Sequence, residues 1–268
     1  MAYFSASARP AHLQPWVQYV WYSAGSMDRL RERLLPAPAI ELVLNLGAPM
    51  HVLEGLGTQT LVGGVTGGLT TAPQMLGHPP VHAAMGIRLH PLAARAVLGL
   101  PLSDITNYFV TLEELIGKAE ADALVERCLA AATPAARMRR FVAWVERRLA
   151  GATPDRTIAF VARRLEASHG AASIAALRDE SGSGKNRLLA GFRDAIGVSP
   201  KVYARLLRLA RTLALLDGSR PRSLAALALD AGYYDQPHMN AELRALTGLS
   251  PRALAGTRNA GGFTISEE

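Results

Sequence analysis

The sequence predicts an α+β chain: a β-rich N-terminal domain of barrel or sandwich kind with helices after it, then an all-α C-terminal domain built from two copies of one two-helix unit. Three observations predict this. Residues 16–90 hold short apolar runs punctuated by glycine and proline. From residue 91 the pattern turns to apolar stripes of helical period. Finally, "SIAALRDESGSGKNRLLAGFRDAIGVSP" (173–200) has a near copy in "SLAALALDAGYYDQPHMNAELRALTGLSP" (223–251).

The apolar runs are "WVQYVWYS" (16–23), "AIELVLNLG" (39–47), "MHVLEG" (50–55), "TLVGGV" (60–65) and "VHAAMGIRLH" (81–90). Their length, β-branched content and flanking breakers read as strands of a small, mostly antiparallel sheet. Within the first run, Tyr19 and Trp21 share one face, which reads as core packing. "PLAARAVLG" (91–99) then opens on a proline suited to the first helical position and closes on Gly99, a helix stop. Three further segments carry 3.6-residue stripes. One places Leu124, Cys128 and Ala131 on a common face, and another does so for Met138, Phe141, Val145 and Leu149. The boundary between the domains is expected at Gly151–Pro154, giving 1–150 and 155–259.

In the repeat, Ser173 matches Ser223, Leu177 matches Leu227 and Gly182 matches Gly232 at an offset of fifty. Past the glycine the offset becomes fifty-one, pairing Leu188 with Met239, Phe192 with Leu243 and Pro200 with Pro251. Each copy reads as a short helix ending at a glycine able to adopt the left-handed conformation, a tight turn, and a second helix. Asp235 caps the second helix of the second copy. The pairs Leu188/Phe192 and Met239/Leu243 pin each second helix on its first. These are helix-turn-helix units, at 173–197 and 223–248, whose second helices can enter a DNA major groove. The intervening "PKVYARLLRLARTLALLDG" reads as one long helix, which would set the two units on successive grooves about 34 Å apart.

Charge agrees. Residues 1–154 hold 13 Lys and Arg against 11 Asp and Glu, whereas 155–259 hold 16 against 9, within a net +7 for the 268-residue chain. The positive excess belongs to the part expected to meet a polyanion. With 49% hydrophobic residues the chain is globular, and no run of about 18 apolar residues suggests a membrane span. "MAYFSASARPAHLQPW" does not read as a secretion signal. The single cysteine, Cys128, excludes an internal disulfide framework and reads as a small buried hydrophobe.

"SLAALALDAGYYDQPHMNAELRALTGLSPRAL" resembles the second helix-turn-helix of AraC/XylS-type transcription regulators, and "FRDAIGVSPKVYARLLRLARTLALL" resembles that family's first unit and linker helix. The front segments "LLPAPAIELVLNLG" and "GIRLHPLAARAVLGLPLSDITNYFVTLEELIG" are similar to the sensor-like domain found before such modules. The resemblance implies a bacterial, cytoplasmic transcription regulator and not an enzyme. It implies double-stranded DNA as partner, with RNA polymerase, a small-molecule effector on the N-terminal domain, and a homodimer as further partners.

Base-facing positions are then expected at Lys185, Asn186 and Leu189 in the first unit and at Gln236, His238 and Asn240 in the second; Ser183 and Asp235 begin the two helices. Phosphate contacts are expected from Arg193, Arg244, Lys201 and Arg205. Asn and Gln can pair bidentately with adenine, and Leu can touch a thymine methyl. The family usually has an arginine two positions after each pinning hydrophobe, but Ala190 and Ala241 stand there. Gly184 replaces the usual capping serine, with Ser183 able to substitute if the helix starts one residue earlier. Arg178 replaces a small residue, so its stem must snorkel outward.

Other motifs fail. "SGSGKN" lacks the glycine spacing of a phosphate loop, with Asp179 at the first glycine position and Asn186 in place of Ser or Thr. His12, His51, His78, His82 and His90 show no metal-ligand spacing, so neither metal nor cofactor is expected. Three functional readings remain: a DNA-binding regulator with an effector-binding front domain, the same with a front domain serving protein interaction, and a β-barrel enzyme fused to a weak or degraded DNA-binding module.

Overall fold

A computed structural model of the chain describes residues 2–6, 11–14, 16–27, 30–54, 58–217, 223–255 and 263–267. Four of the expected runs are strands: β2 (Val17–Ser26), β4 (Ile40–Asn45), β5 (Met50–Glu54) and β9 (Val81–Leu89). The run at 60–65 is divided by Gly63, whose φ of +63° suits glycine. Its halves, β6 (Gln59–Leu61) and β7 (Gly64–Gly67), join different sheets. Five strands were not anticipated: β1 (Ala2–Ala6), β3 (Arg31–Leu34), β8 (Gln74–Gly77), β10 (Phe109–Thr111) and β11 (Thr264–Glu267).

The strands form two antiparallel sheets, ordered β1-β2-β9-β4-β7-β10 and β11-β3-β8-β5-β6. Alternation along the strands divides the larger sheet into two faces. Val20, Tyr22, Leu42, Met85 and Ile87 are buried in the main core, while Val43 and Val65 pack with Val52, Leu61 and Leu76 in a smaller cluster. Tyr19 and Trp21 do share a face; the Trp21 ring lies over Gly86, where a Cβ would approach within 2.4 Å. That face is partly polar: the Trp21 indole donates to Glu41, and Arg88 donates to the Tyr19 hydroxyl at 2.9 Å.

Helices follow as α1 (Pro91–Leu98), α2 (Leu112–Ile116), α3 (Lys118–Leu129), α4 (Pro134–Leu149) and α5 (Arg156–Ala167). Their ends are locally encoded. Gly99 terminates α1 at φ +79°, Thr111 and Glu114 form a capping box on α2, and Asp155 accepts two amide hydrogen bonds at the start of α5. The remaining helices are α6 (Ile174–Glu180), α7 (Lys185–Ile196), α8 (Pro200–Leu216), α9 (Leu224–Asp230), α10 (Gln236–Thr247) and α11 (Pro251–Leu254). Cys128 is buried, and burial raises its thiol pKa.

One contiguous core runs from the front sheet through α4 and α5 into α7, α8 and α10, including Phe141, Trp144, Leu165, Phe192, Tyr203 and Leu243. Polar contacts reinforce it. Glu166 on α5 accepts from the Tyr203 hydroxyl on α8 and meets His90 Nε2 at the end of the front sheet, each at 2.7 Å. Burial, with Glu166 alongside, holds the Tyr203 phenol well above its ordinary pKa. β11 pairs with β3, matching Thr264 with Leu34 and Glu267 with Arg31, and buries Ile265. Phe263 lies under the Arg88 guanidinium at 4.8 Å.

Candidate nucleic-acid interface

The glycine-aromatic break in the second copy is a turn. Ser223 caps α9, Gly232 takes φ +85°, and Asp235 caps α10 by accepting from His238 N at 2.8 Å. Tyr233 is buried and meets the His238 ring edge-on at 5.4 Å, while Tyr234 stays exposed. Met239 and Leu243, both fully buried, pin α10 as expected. The first copy repeats the plan with Ser173 as cap and Gly182 at φ +63°. Its turn is one residue shorter, which accounts for the change of offset. Here Gly184 is the N-cap with no side-chain hydrogen bond, and α7 begins at Lys185. Ser183 does not take over the cap; its hydroxyl lies 3.5 Å from the Gly184 carbonyl. Arg178 turns outward as expected and donates to Asp179.

At 100° per residue, positions 186, 190 and 193 of α7 form one strip, matched by 237, 241 and 244 of α10. All six residues are exposed: Asn186, Ala190 and Arg193; Pro237, Ala241 and Arg244. Lys185, His238 and Lys201 are also exposed, Ser183 and Gln236 half-buried. Leu189 and Asn240 occupy equivalent flanks and are half-buried, and Asn240 Oδ1 is buried without a hydrogen-bond partner. Asn240 is thus turned from the exposed strip toward the protein, unlike the base-facing placement expected for it.

Arg205 also departs from expectation. Its guanidinium lies 3.5 Å from Glu242, a buried carboxylate on the inner face of α10. Arg208 holds the same carboxylate through three hydrogen bonds of 2.9 to 3.2 Å and also binds the Gly170 carbonyl. His238 Nε2 stands 3.6 Å from it. Glu242 therefore ties α10 to α8 through charge, with Arg205 beside it. Sequence reading missed Glu242 because a lone Glu in a helix reads as surface. The available signal was its place three residues after Met239, beside the pinning stripe.

The first unit is held differently. Asp194 of α7 pairs with Arg95 of α1 at 3.1 Å, and Thr106 donates to the Gly197 carbonyl at 2.6 Å. Between α7 and the front helices lies a cleft of about 670 Å3, lined in part by Leu92, Arg95, Ile158, Arg187, Ala190 and Asp194. Ala190 thus borders this cleft as well as the exposed strip.

The geometry has counterparts. A model described as a helix-turn-helix domain matches residues 177–256, and a domain of unknown function (DUF6597) matches residues 8–111. Residues 177–256 are an AraC-type helix-turn-helix module. The module makes the chain a DNA-binding transcription regulator. ToxT from Vibrio cholerae is similar in fold, with a TM-score of 0.51 at 7% identity over 87% of this chain and 97% of that one. ToxT bound to (E)-4-(8-methylnaphthalen-1-yl)but-3-enoic acid superposes over the same shares with a TM-score of 0.50 at 7% identity. A probable AraC family transcriptional regulator from Rhodopseudomonas palustris CGA009 is 26% identical over 36% of this chain and 92% of that one, with a TM-score of 0.33. No curated protein matches the chain. Among the described residues, no helix is long and apolar enough to cross a membrane, and no group of three metal-ligating side chains is assembled.

Proposed function

We propose that α7 and α10 enter two successive major grooves of double-stranded DNA, with the module extending over 155–259 and a sensor or dimerisation domain over 1–150. The paired exposed strips at repeat-related positions carry this reading. Asn186, Arg193 and Arg244 lie in or along the strips; Lys185, Gln236 and His238 stand at the helix starts beside Ser183 and Asp235. Leu189 and Asn240 border them, Lys201 contacts phosphate, and Arg205 acts through Glu242. The protein is not an enzyme on this reading and works in a bacterial cytoplasm, as a homodimer in contact with RNA polymerase. A small-molecule effector acts through the front domain, a role favoured by the docking of α7 on α1 and by the acid that ToxT holds in one of its structures.

Selection from random duplexes at about physiological salt with the full chain tests this. With Ala190 and Ala241 in place of arginines, neither helix offers a bidentate guanine contact there, a contact that supplies about 1–3 kcal/mol of discrimination. A short, A/T-leaning consensus is expected, sharpened by Ala241→Arg. Lys201→Ala should flatten the salt slope by about one unit. A long G-anchored consensus from the unaltered chain, or an unchanged slope, would contradict these assignments.

A further inference from the structure

A second cleft, of about 470 Å3, opens between α1, α3 and α4 and takes no part in the DNA-binding surface. Its lining is Ala96, Glu120, Arg127, Trp144, Arg147 and Arg148. Three guanidiniums thus face one carboxylate. Glu120 is already engaged: it accepts from the Trp144 indole at 3.0 Å and lies 3.6 Å from Arg148. Arg148 is held in place by its Nε bond to the Val97 carbonyl at 2.6 Å and by the Trp144 ring 5.5 Å from its guanidinium. Arg127 spends only its Nε, on the Ala123 carbonyl at 3.0 Å. Arg147 is exposed, and its guanidinium makes no ion pair or hydrogen bond with any described residue.

We propose that this cleft binds a compact oxyanion carrying two or more negative charges, the phosphate group of a small molecule. Forked guanidinium donors match phosphate oxygens two at a time, and a site with one arm already fixed loses less freedom on binding. The fixed arm is Arg148, and the free forks are those of Arg127 and Arg147. Extended polyanions fit less well, because Glu113, Glu114, Asp122 and Glu126 stand exposed on the neighbouring α2 and α3. A long phosphate backbone would cross these acids, whereas a small anion within the cleft meets three arginines and one acid, Glu120, already engaged by Trp144 and Arg148.

Titration calorimetry of the full chain without DNA, using pyrophosphate as the probe at constant ionic strength, tests the site. Saturable binding of one pyrophosphate per chain is expected. Arg147→Ala and Arg127→Ala should each weaken it about tenfold, and Arg147→Lys, which keeps the charge but loses the fork, should fall between. Lys201→Ala, on the DNA-binding surface, should leave it unchanged. Both arginines are exposed, so circular dichroism of the variants should match the parent. No saturable binding, or binding insensitive to Arg147→Ala and Arg127→Ala, would overturn the proposal. So would variants that lose DNA affinity while holding pyrophosphate as before, which would make the patch a flank for DNA.

Discussion

The two helix-turn-helix units share a plan and differ in what holds them. The first is braced from outside: Arg95 meets Asp194, Thr106 donates to Gly197, and the close approach at Gly191, where a Cβ would come within 2.9 Å of Ile158, brings α7 onto α5. The second is braced from within by charge, since the position equivalent to Gly191 is Glu242, clasped by Arg208 and Arg205 on the linker helix. A repeated scaffold can thus conserve geometry while exchanging packing for buried electrostatics. One recognition helix answers to the front domain and the other to α8.

Breaking the charge brace should have the largest effect. Glu242→Ala leaves Arg208, only 14% exposed, without its carboxylate. Removing one partner of a buried pair costs about 3–5 kcal/mol. Chemical denaturation should show a loss near the lower figure, and hydrogen exchange should place it in α9 and α10 rather than α7.

Next comes a matched pair at the helix ends. Gly197 and Gly248 terminate α7 and α10 at φ +95° and +75°. A Cβ at Gly197 meets Thr106 Oγ1 at 2.9 Å and the Leu102 carbonyl at 3.1 Å, whereas at Gly248 it finds only the end of Arg33 at 3.7 Å. Gly248→Ala should cost about 1 kcal/mol for the left-handed backbone alone. Gly197→Ala should cost more and loosen α7 from the front domain; equal melting shifts for the two variants would refute the outside brace.

Capping gives a smaller contrast. Asp235→Ala should cost about 1 kcal/mol, while Gly184→Ser, supplying the hydroxyl α7 lacks, should gain a few tenths. Smallest is Arg95→Ala. Its pair with Asp194 is 38% and 46% exposed, so stability should fall by less than about 1 kcal/mol. Amide exchange in α7 should nevertheless quicken while that in α10 does not change.

Much of this was legible because it is local. The slip at Gly182 and Gly232, the cap at Asp235 and the pinning pairs are all written within a turn or two of chain. The five unanticipated strands were not, since β3 is "RERL", β8 is "QMLG", and β10 and β11 have only three and four residues. Strands of three or four residues carry too little alternation to read, whether at a sheet edge, as β10 and β11 are, or inside it, as β3 and β8 are. β11 also pairs with a strand more than two hundred residues away, and no pattern within either segment names its mate. Sequence spacing placed Asn240 against bases and Arg205 against phosphate, whereas Asn240 Oδ1 is buried and Arg205 lies beside Glu242. Their orientation depends on Glu242 being inside, and a buried acid becomes visible only when its two arginines converge on it.

The pairing of β11 with β3 has a mechanical consequence. The helical half leaves the front sheets after β10 and returns to them at β11, so it is slung between two piers rather than hung from one. Near one pier stand Thr106 and Arg95, gripping α7; at the other, Ile265 and the Arg33–Glu267 pair fasten the returning strand. Because β11 and the β3 strand it pairs with belong to one chain, the strand's effective concentration at β3 is high. A span fixed at both ends transmits a shift of either support along its whole length. Spreading the two front sheets would therefore strain the linkage that carries both recognition helices, with no need for a hinge between them.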